Sequence, residues 1–185
     1  RELAERNRQM LDDLRMARGV QAAILPSAPL WLAVGGRSLV AEYQYEPSEM
    51  IGGDVFAFTR PSETSAGLLV CDVMGHGVRS ALITTIISAV VHEAGTAACD
   101  AGQLLTKLNR YLRQVLEGAG TTIFVTAAYA VIDLEAMTMD YAQAGHPPAL
   151  RLYATQKKAS LVFLSAEAEG PALGLLDDVD YRADR

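Results

Sequence analysis

GLLVCDVMGHG, residues 67–77, is the stretch that decides the fold of this chain. Its apolar first half predicts a buried strand, and an uninterrupted helical pattern begins at Val78. The glycines allow the backbone the positive φ angles of a tight turn and let it approach a bound group closely. A carboxylate at the end of a buried strand, next to such a turn, suits a hard metal ion. The stretch therefore marks Asp72 as a candidate metal ligand.

A second aspartate repeats this arrangement upstream. Asp54 follows Gly52-Gly53 and precedes a short segment of strand-like composition. The two carboxylates meet if their segments pair as adjacent strands, and a backbone carbonyl beside Asp72 adds a further oxygen ligand. Taken alone, each aspartate is better explained as the cap of an ordinary turn. The presence of both favours a shared metal site.

The roles of the histidines and of the nearby cysteine stay open at this point. His76 lies between glycines, where it ligates a metal, contacts a phosphate or caps the following helix. His146 precedes Pro147-Pro148, and a role in the site is as well supported as a hydrogen bond to nearby backbone. We expect His92 to be a structural or surface residue. Cys71, on the apolar strand, is expected to be a core cysteine.

Composition restricts the class of protein. The chain has 185 residues, 50% of them hydrophobic, which is enough for one substantial core. Its formal net charge of −6 argues against a nucleic-acid surface. The two cysteines are far apart in sequence and indicate reduced intracellular thiols. The longest apolar stretch, residues 81–91, is short of the ~20 residues of a membrane span, so we predict a cytoplasmic protein that binds no membrane.

The order of elements predicts the fold class. A helix over residues 1–25 is followed by strand-like segments, then two helices, then strands again. The predicted helices after residue 77 cover 78–93 and 100–117, and the predicted strands after them cover 121–133, 137–144, 149–153 and 160–164. This order is typical of an α+β protein with a largely antiparallel sheet. Residues 177–181 begin a further strand pattern, from which we expect that a C-terminal portion is missing.

The first helix carries a heptad pattern. Its apolar positions are Leu3, Met10, Ala17 and Ile24, with Leu14 on the adjoining seam position. Asn7 and Gln21 flank Leu14 in that seam, which weakens the pattern. Two interpretations stay about equal: a coiled coil that forms a homodimer, and a solvated helix that packs on its own domain.

Seven blocks of the sequence together resemble a known family. They are ARGVQAAILP (17–26), IGGDVFAF (51–58), LVCDVMGHGVRSAL (69–82), LLTKLNRY (104–111), TIFVTAAYAVID (122–133), YAQAGHPPAL (141–150) and GPALGL (170–175). In this order they resemble the SpoIIE/RsbU branch of the PPM-type, metal-dependent serine/threonine protein phosphatases. The resemblance implies an α-β-β-α sandwich over residues 26–185, in which two antiparallel sheets face each other between flanking helices.

The resemblance also implies a site and a function. Two Mn²⁺ or Mg²⁺ ions are expected, with Asp54 and Asp72 as the catalytic, metal-binding carboxylates and the carbonyl of Val73 as a further ligand. The implied reaction removes phosphate from a phosphoprotein, in the family usually a STAS-type anti-sigma-factor antagonist in bacterial partner switching. An upstream sensor or receiver domain is expected to precede residues 1–25.

Two departures from the family pattern affect this expectation. Where the family reads GGD-x-x-D, the second acidic position is Ala57 here. A C-terminal Thr-Asp-Gly block that supplies the last metal ligand is not in the sequence, so we expect a truncated domain and a poor phosphatase. The alternative is a non-catalytic interaction module that keeps the fold. A third, weaker candidate is an enzyme for small phosphate esters.

Overall fold

The computed structural model describes residues 2–47, 49–120, 122–153, 158–162, 164–165 and 168–185. Its helices are α1 (Glu2–Ile24), α2 (Val78–Ala94) and α3 (Ala101–Ala119), with a 3₁₀ turn at Gly95–Cys99. Its strands are β1 (Leu30–Val34), β2 (Arg37–Ala41), β3 (Asp54–Thr59), β4 (Ser65–Val73), β5 (Val125–Asp133), β6 (Thr138–Ala144), β7 (Leu150–Tyr153), β8 (Lys158–Leu161) and β9 (Glu169–Gly170).

The main sheet has five strands in the order β3-β4-β5-β6-β9. Its first three pairs are antiparallel, and the short β9 joins β6 in parallel. β1 with β2 and β7 with β8 form separate two-stranded ribbons. The predicted α+β class is confirmed. The predicted strand ends are less accurate, since β5 begins at Val125 and the prediction began at residue 121. Thr121 and Phe163 fall in predicted strands but lie outside the described residues, as does Arg1 of the predicted first helix.

One face of the main sheet carries the hydrophobic core. Alternate residues of β4 and β5 point to this face, because side chains along a strand alternate between its two sides. α2 and α3 cover them. The core includes Leu69, Cys71, Val73, Val125, Ala127 and Tyr129 from the strands and Ile87, Leu104, Leu105, Leu108, Leu112 and Leu116 from the helices. The apolar faces that the sequence predicted for the strands and the helices thus pack against each other in one layer.

The opposite face of the sheet is covered only in part. At one end, Leu32 of β1 packs with Ala66 and Leu134 in a small second cluster. Beside β3, Tyr43 of the irregular segment 42–47 contacts Phe56 with ring centroids 4.3 Å apart. Val70 in the middle of the sheet is 48% exposed. Among the described residues, this second layer is therefore a ribbon and an irregular segment where the sequence predicted a second full sheet.

α2 and the turn after it form a 22-residue apolar helical segment, Val78–Cys99, which by length and composition suffices to cross a membrane. The expectation that no stretch reaches this length was wrong, because the helix continues past the interrupting polar residues. However, Ile83, Ile87 and Val90 of this segment lie in the core against the sheet. Core helices of soluble proteins have the same composition, so the segment is weak support for a membrane span.

The strand predicted to begin at residues 177–181 does not form. Asp178 has a φ of 50°, which is incompatible with an extended strand. Arg113 of α3 holds the carboxylate of Asp177 through hydrogen bonds of 2.6 and 2.9 Å. Farther on, Asp184 pairs with Tyr141 of β6 in an isolated bridge. The segment is thus held by α3 and by the edge of the sheet.

Candidate metal site

Asp54 and Asp72 lie directly opposite each other. The antiparallel register of β3 and β4 pairs their Cα atoms. Directly opposite residues project to the same side of the sheet, with Cβ atoms about 4.5–5.5 Å apart. Both side chains are exposed, and their neighbours Val55 and Cys71 are buried on the helix side. The two carboxylates therefore share the half-open face of the sheet.

The glycine before Asp54 permits a close backbone approach. A Cβ atom on Gly53 would lie 2.7 Å from the carbonyl oxygen of Val73 and 3.1 Å from that of Gly75. The N–H of Val73 donates to the carbonyl of Gly53 at 3.0 Å. Only glycine fits this position, and its absent side chain leaves two carbonyl oxygens facing the start of β3, next to Asp54.

The electrostatics of the pair are unfavourable in the protein alone. Partial burial raises the pKa of Asp54, the negative charge of Asp72 raises it further, and His146 opposes both effects. In the part of the chain that the structure describes, neither carboxylate group has an ion pair or a hydrogen bond. Two like charges at this distance destabilise each other's ionised form. A cation between them would relieve this repulsion.

The donor set fits a hard divalent cation. Carboxylate and carbonyl oxygens are the ligands that Mg²⁺ and Mn²⁺ prefer. Among the described residues, no group of three or more His, Cys, Asp or Glu side chains could hold a metal ion. Protein ligands beyond the two carboxylates would therefore be backbone oxygens, and the carbonyl of Val73, which follows Asp72 in the chain and faces Gly53, is a candidate. Its role as a ligand stays a prediction.

His146 lies at the rim of this site. Its Nδ1 is 2.8 Å from the hydroxyl of Thr126, and Thr126 is paired with Asp72 in the sheet. Burial lowers the pKa of His146, while the charges of Asp72 and Asp54 raise it. The structure therefore places His146 near the carboxylates, and its role in the site stays a prediction. The hydrogen-bond partner of its Nδ1 is the Thr126 side chain.

The structure places the other candidate residues in different surroundings. Nδ1 of His76 is 3.1 Å from the carboxylate of Glu49, and both side chains are exposed. Gly77 is the N-cap of α2 and no side chain caps it, so His76 does not have the capping role. His92 is exposed, as expected for a surface residue. Cys71 is fully buried, and burial raises the pKa of its thiol.

One residue at the site was not recognised from the sequence. Gln21 of α1 is only 5% exposed. Its amide nitrogen donates to the carbonyl of Gly52 at 2.7 Å, and its amide oxygen accepts from the N–H of Gly52 at 3.1 Å. The same nitrogen lies 3.1 Å from the hydroxyl of Thr84 in α2. The sequence contained an indication of this contact, because a glutamine at an apolar seam position needs a hydrogen-bond partner if it is buried.

Known sequences give a family for this chain. The family model of stage II sporulation protein E (SpoIIE) matches residues 62–185. The phosphoserine phosphatase RsbP of Bacillus subtilis (strain 168) is 29% identical over 140 residues, 75% of this chain and 34% of RsbP. The phosphoserine phosphatase RsbU of the same organism is 30% identical over 136 residues, 74% of this chain and 38% of RsbU. The chain thus spans about a third of the length of these relatives.

Solved structures agree on the fold. The PP2C domain of SiaA from Pseudomonas aeruginosa superposes with a TM-score of 0.70 at 22% sequence identity. The match covers 98% of this chain and 68% of that domain. At this identity the likeness concerns the fold alone, and it extends over nearly every element described above.

Proposed function

The chain belongs to the SpoIIE family, in the SpoIIE/RsbU branch of the PPM phosphatases, and from this membership we propose that it is a metal-dependent protein serine/threonine phosphatase. The observation that carries the proposal is the cross-strand pair of Asp54 and Asp72 on an open face of the sheet. RsbP and RsbU, the two relatives named above, are phosphoserine phosphatases.

The protein's own contribution would be to hold and orient the ions. Asp54, Asp72 and the carbonyl of Val73 would be the metal-binding groups, and the close approach at Gly53 fixes their spacing. Two bound Mn²⁺ or Mg²⁺ ions would lower the pKa of a shared water and neutralise charge on the phosphoryl oxygens. Thr126 orients the ring of His146, which places a titratable group beside the carboxylates.

The proposed substrate is a serine-phosphorylated STAS-domain protein that acts in bacterial partner switching. The proposed compartment is the cytoplasm, and the net charge of −6 supports no nucleic-acid partner. An upstream sensor or receiver domain would act through α1, and a homodimer would form along that helix. The exposed first half of α1 supports this arrangement, because residues 2–13 have no burial against the domain.

A specific observation also favours the alternative of a non-catalytic interaction module. The described residues offer two carboxylates and backbone oxygens, fewer protein ligands than two ions usually have. The presence of Ala57 where the family has an acidic residue, however, does not change the face of the sheet that carries the two carboxylates. Ala57 packs against the core on the helix side of β3, whereas Asp54 projects to the other side.

Hydrolysis assays distinguish these functions. We would measure phosphate release from a serine-phosphorylated STAS-domain protein and from para-nitrophenyl phosphate, with and without Mn²⁺, and binding of the phosphoprotein by isothermal titration. Mn²⁺-dependent release that is lost in Asp54→Asn and kept in Glu63→Gln, an exposed charge outside the site, is the expected result. Binding of the phosphoprotein without release in any metal would favour the interaction module. Release from the small ester alone would favour the third candidate.

A further inference from the structure

β7 and β8 form an amphipathic ribbon. Their antiparallel register pairs Leu150 with Leu161 and Leu152 with Ala159, so these four side chains share one face. The three leucines are 60%, 70% and 46% exposed for Leu150, Leu152 and Leu161. The described residues 150–153 and 158–161 thus present an apolar face to solvent, here called the ribbon face.

The ribbon face has no cover within the described part of the chain. A two-stranded ribbon is at best marginally stable by itself, and exposed clusters of large apolar side chains mark interaction surfaces more often than chance. The β1–β2 ribbon also carries an exposed cross-strand pair, Trp31 and Val40, but that ribbon packs at the other end of the main sheet, against Ala66 and Leu134. The arrangement of the ribbon face is suited to contact with a second protein.

The ribbon begins at the rim of the candidate metal site. Its base is closed by the N–H of Val162, which donates to the carbonyl of Ala149 at 2.7 Å. Ala149 is three residues from His146, and three residues span at most about 10 Å. His146 in turn contacts Thr126, the sheet partner of Asp72. A protein bound over Asp54 and Asp72 is therefore within reach of the base of the ribbon.

The charge of the ribbon is opposite to that of the chain as a whole. Arg151 and Lys158 lie on its polar face, and the guanidinium of Arg151 is 4.8 Å from the centroid of the Tyr153 ring. The described residues of the two strands contain no Asp or Glu, whereas the chain has a net charge of −6. Local positive charge at the rim complements a phosphorylated partner and favours its approach.

We propose that the ribbon is the docking element for the phosphoprotein substrate, with the ribbon face in contact with an apolar patch of that protein and Arg151 and Lys158 near its phosphorylated segment. This inference rests on the proposed function for the identity of the partner. It adds a surface that recognises the partner, and this surface consists of residues other than those proposed to bind the metal.

Binding without turnover tests this inference. We would titrate a serine-phosphorylated STAS-domain protein into the wild type and two double variants, Leu150→Ser/Leu152→Ser and Arg151→Glu/Lys158→Glu, in the presence of a chelator. Each double variant is expected to weaken binding about tenfold. Met137→Asn is the matched control: Met137 is 63% exposed in the turn between β5 and β6, and its φ of 57° is one that asparagine tolerates.

Several outcomes would overturn the proposal. Unchanged binding by the charge variant and the leucine variant would do so, as would an equal loss in Met137→Asn. A leucine variant that changes the sedimentation of the protein alone would assign the ribbon face to a second copy of this chain. The charge variant tests the same ribbon independently if the leucine variant misfolds, and thermal unfolding shows whether each variant is folded. Weakened binding by both double variants, together with a wild type that binds the phosphoprotein but releases no phosphate from it, would refute the proposed enzyme and leave the docking surface in place.

Discussion

At the scale of single residues, the carboxylate pair is the clearest sign of a function. Asp54 and Asp72 face each other across two strands with no cation from the described protein beside them. The pKa of Asp54 is raised by burial and by the charge of Asp72. A carboxyl with a raised pKa in the folded state binds its proton more tightly there than in the unfolded chain. The stability that Asp54 contributes is therefore present below its unfolded-state pKa and is lost as the pH rises through its higher folded-state pKa.

Asp72→Asn is expected to have opposite effects with and without metal. Without metal at neutral pH, the variant should unfold at a higher temperature, because one of two repelling charges is removed. Its affinity for Mn²⁺ should fall at least about tenfold, since an anionic ligand becomes a neutral one. Thermal unfolding in chelator and isothermal titration with Mn²⁺ measure the two effects. Equal Mn²⁺ affinities of wild type and variant would refute the shared site.

Asp133 predicts an acid-sensitive turn between β5 and β6. The N–H of Ala136 lowers the pKa of Asp133 most; burial opposes this, and the Thr64 hydroxyl and the N–H of Glu135 lower it further. A depressed pKa contributes stability that is present above the unfolded value and is lost as the pH falls through the folded value. Asp133→Ala should therefore be less stable than wild type at pH 7, and the difference should shrink near pH 3.

Urea unfolding at both pH values measures this difference. Glu135→Ala is the control in the same turn, because only the backbone N–H of Glu135 takes part in the hydrogen bonds and that group is kept. A difference between Asp133→Ala and wild type that is the same at both pH values would show that the charge of Asp133 has no part in it.

At the scale of elements, α1 has two distinct halves. Its C-terminal half contacts the domain through Gln21, with Leu14 and Ala17 half-buried, and residues 2–13 are exposed. The heptad stripe is therefore not one continuous interface. The same side of the helix packs on the domain at one end and is open at the other. Any change in the position of α1 would act directly on Gly52, two residues before Asp54.

Gln21→Ala is expected to destabilise the protein and loosen the site. The substitution leaves the N–H and carbonyl of Gly52 without their partner, and an unsatisfied buried polar group costs about 1–3 kcal/mol. Mn²⁺ affinity should fall as well, because Gly52 positions the start of β3. Urea unfolding and isothermal titration measure both. Gln9→Ala, on the exposed half of the same helix, should match wild type. Equal effects of the two variants would show that the hydrogen bonds between Gln21 and Gly52 do not stabilise the protein or the site.

The heptad seam of α1 around Met10 and Leu14 is predicted to mediate a weak homodimer. Met10→Asp with Leu14→Asp places charges in the seam and should shift sedimentation toward the monomer. Met16→Asp is the control, since Met16 is 69% exposed but is not a seam position. A wild type that sediments as a monomer at every concentration would contradict the prediction, and so would a dimer unaffected by the seam variant.

At the scale of the whole molecule, stability depends on one layer between the main sheet and α2 with α3. Ile87 is fully buried in this layer. Ile87→Ala should reduce the free energy of unfolding by about 2–5 kcal/mol, because it removes buried methyl groups and leaves a cavity. Leu82→Ala on the same helix, where the side chain is 61% exposed, should change it by less than about 0.5 kcal/mol. Urea unfolding of both variants checks this, and equal losses would argue against the packing.

The sequence by itself determined the fold class, the buried strand before Asp72, the two central helices and the candidate carboxylates. These follow from periodicity and from glycines next to acidic residues, which are local properties of the chain. Only the tertiary structure decided that Asp54 faces Asp72, that Ala57 points away from them, and that His146 lies beside them. Strand register fixes these relations, and register depends on packing between segments far apart in sequence.

The tertiary structure also decided what the sequence misjudged. Gln21 is a seam residue by its heptad position, but its amide pairs with Gly52 because that backbone is partly buried and requires a partner. Residues 177–181 have a strand-like pattern, yet Arg113 of α3 draws Asp177 into an ion pair and the chain turns at Asp178. In both places a long-range polar contact outweighs a local preference, and no reading of neighbouring residues contains that information.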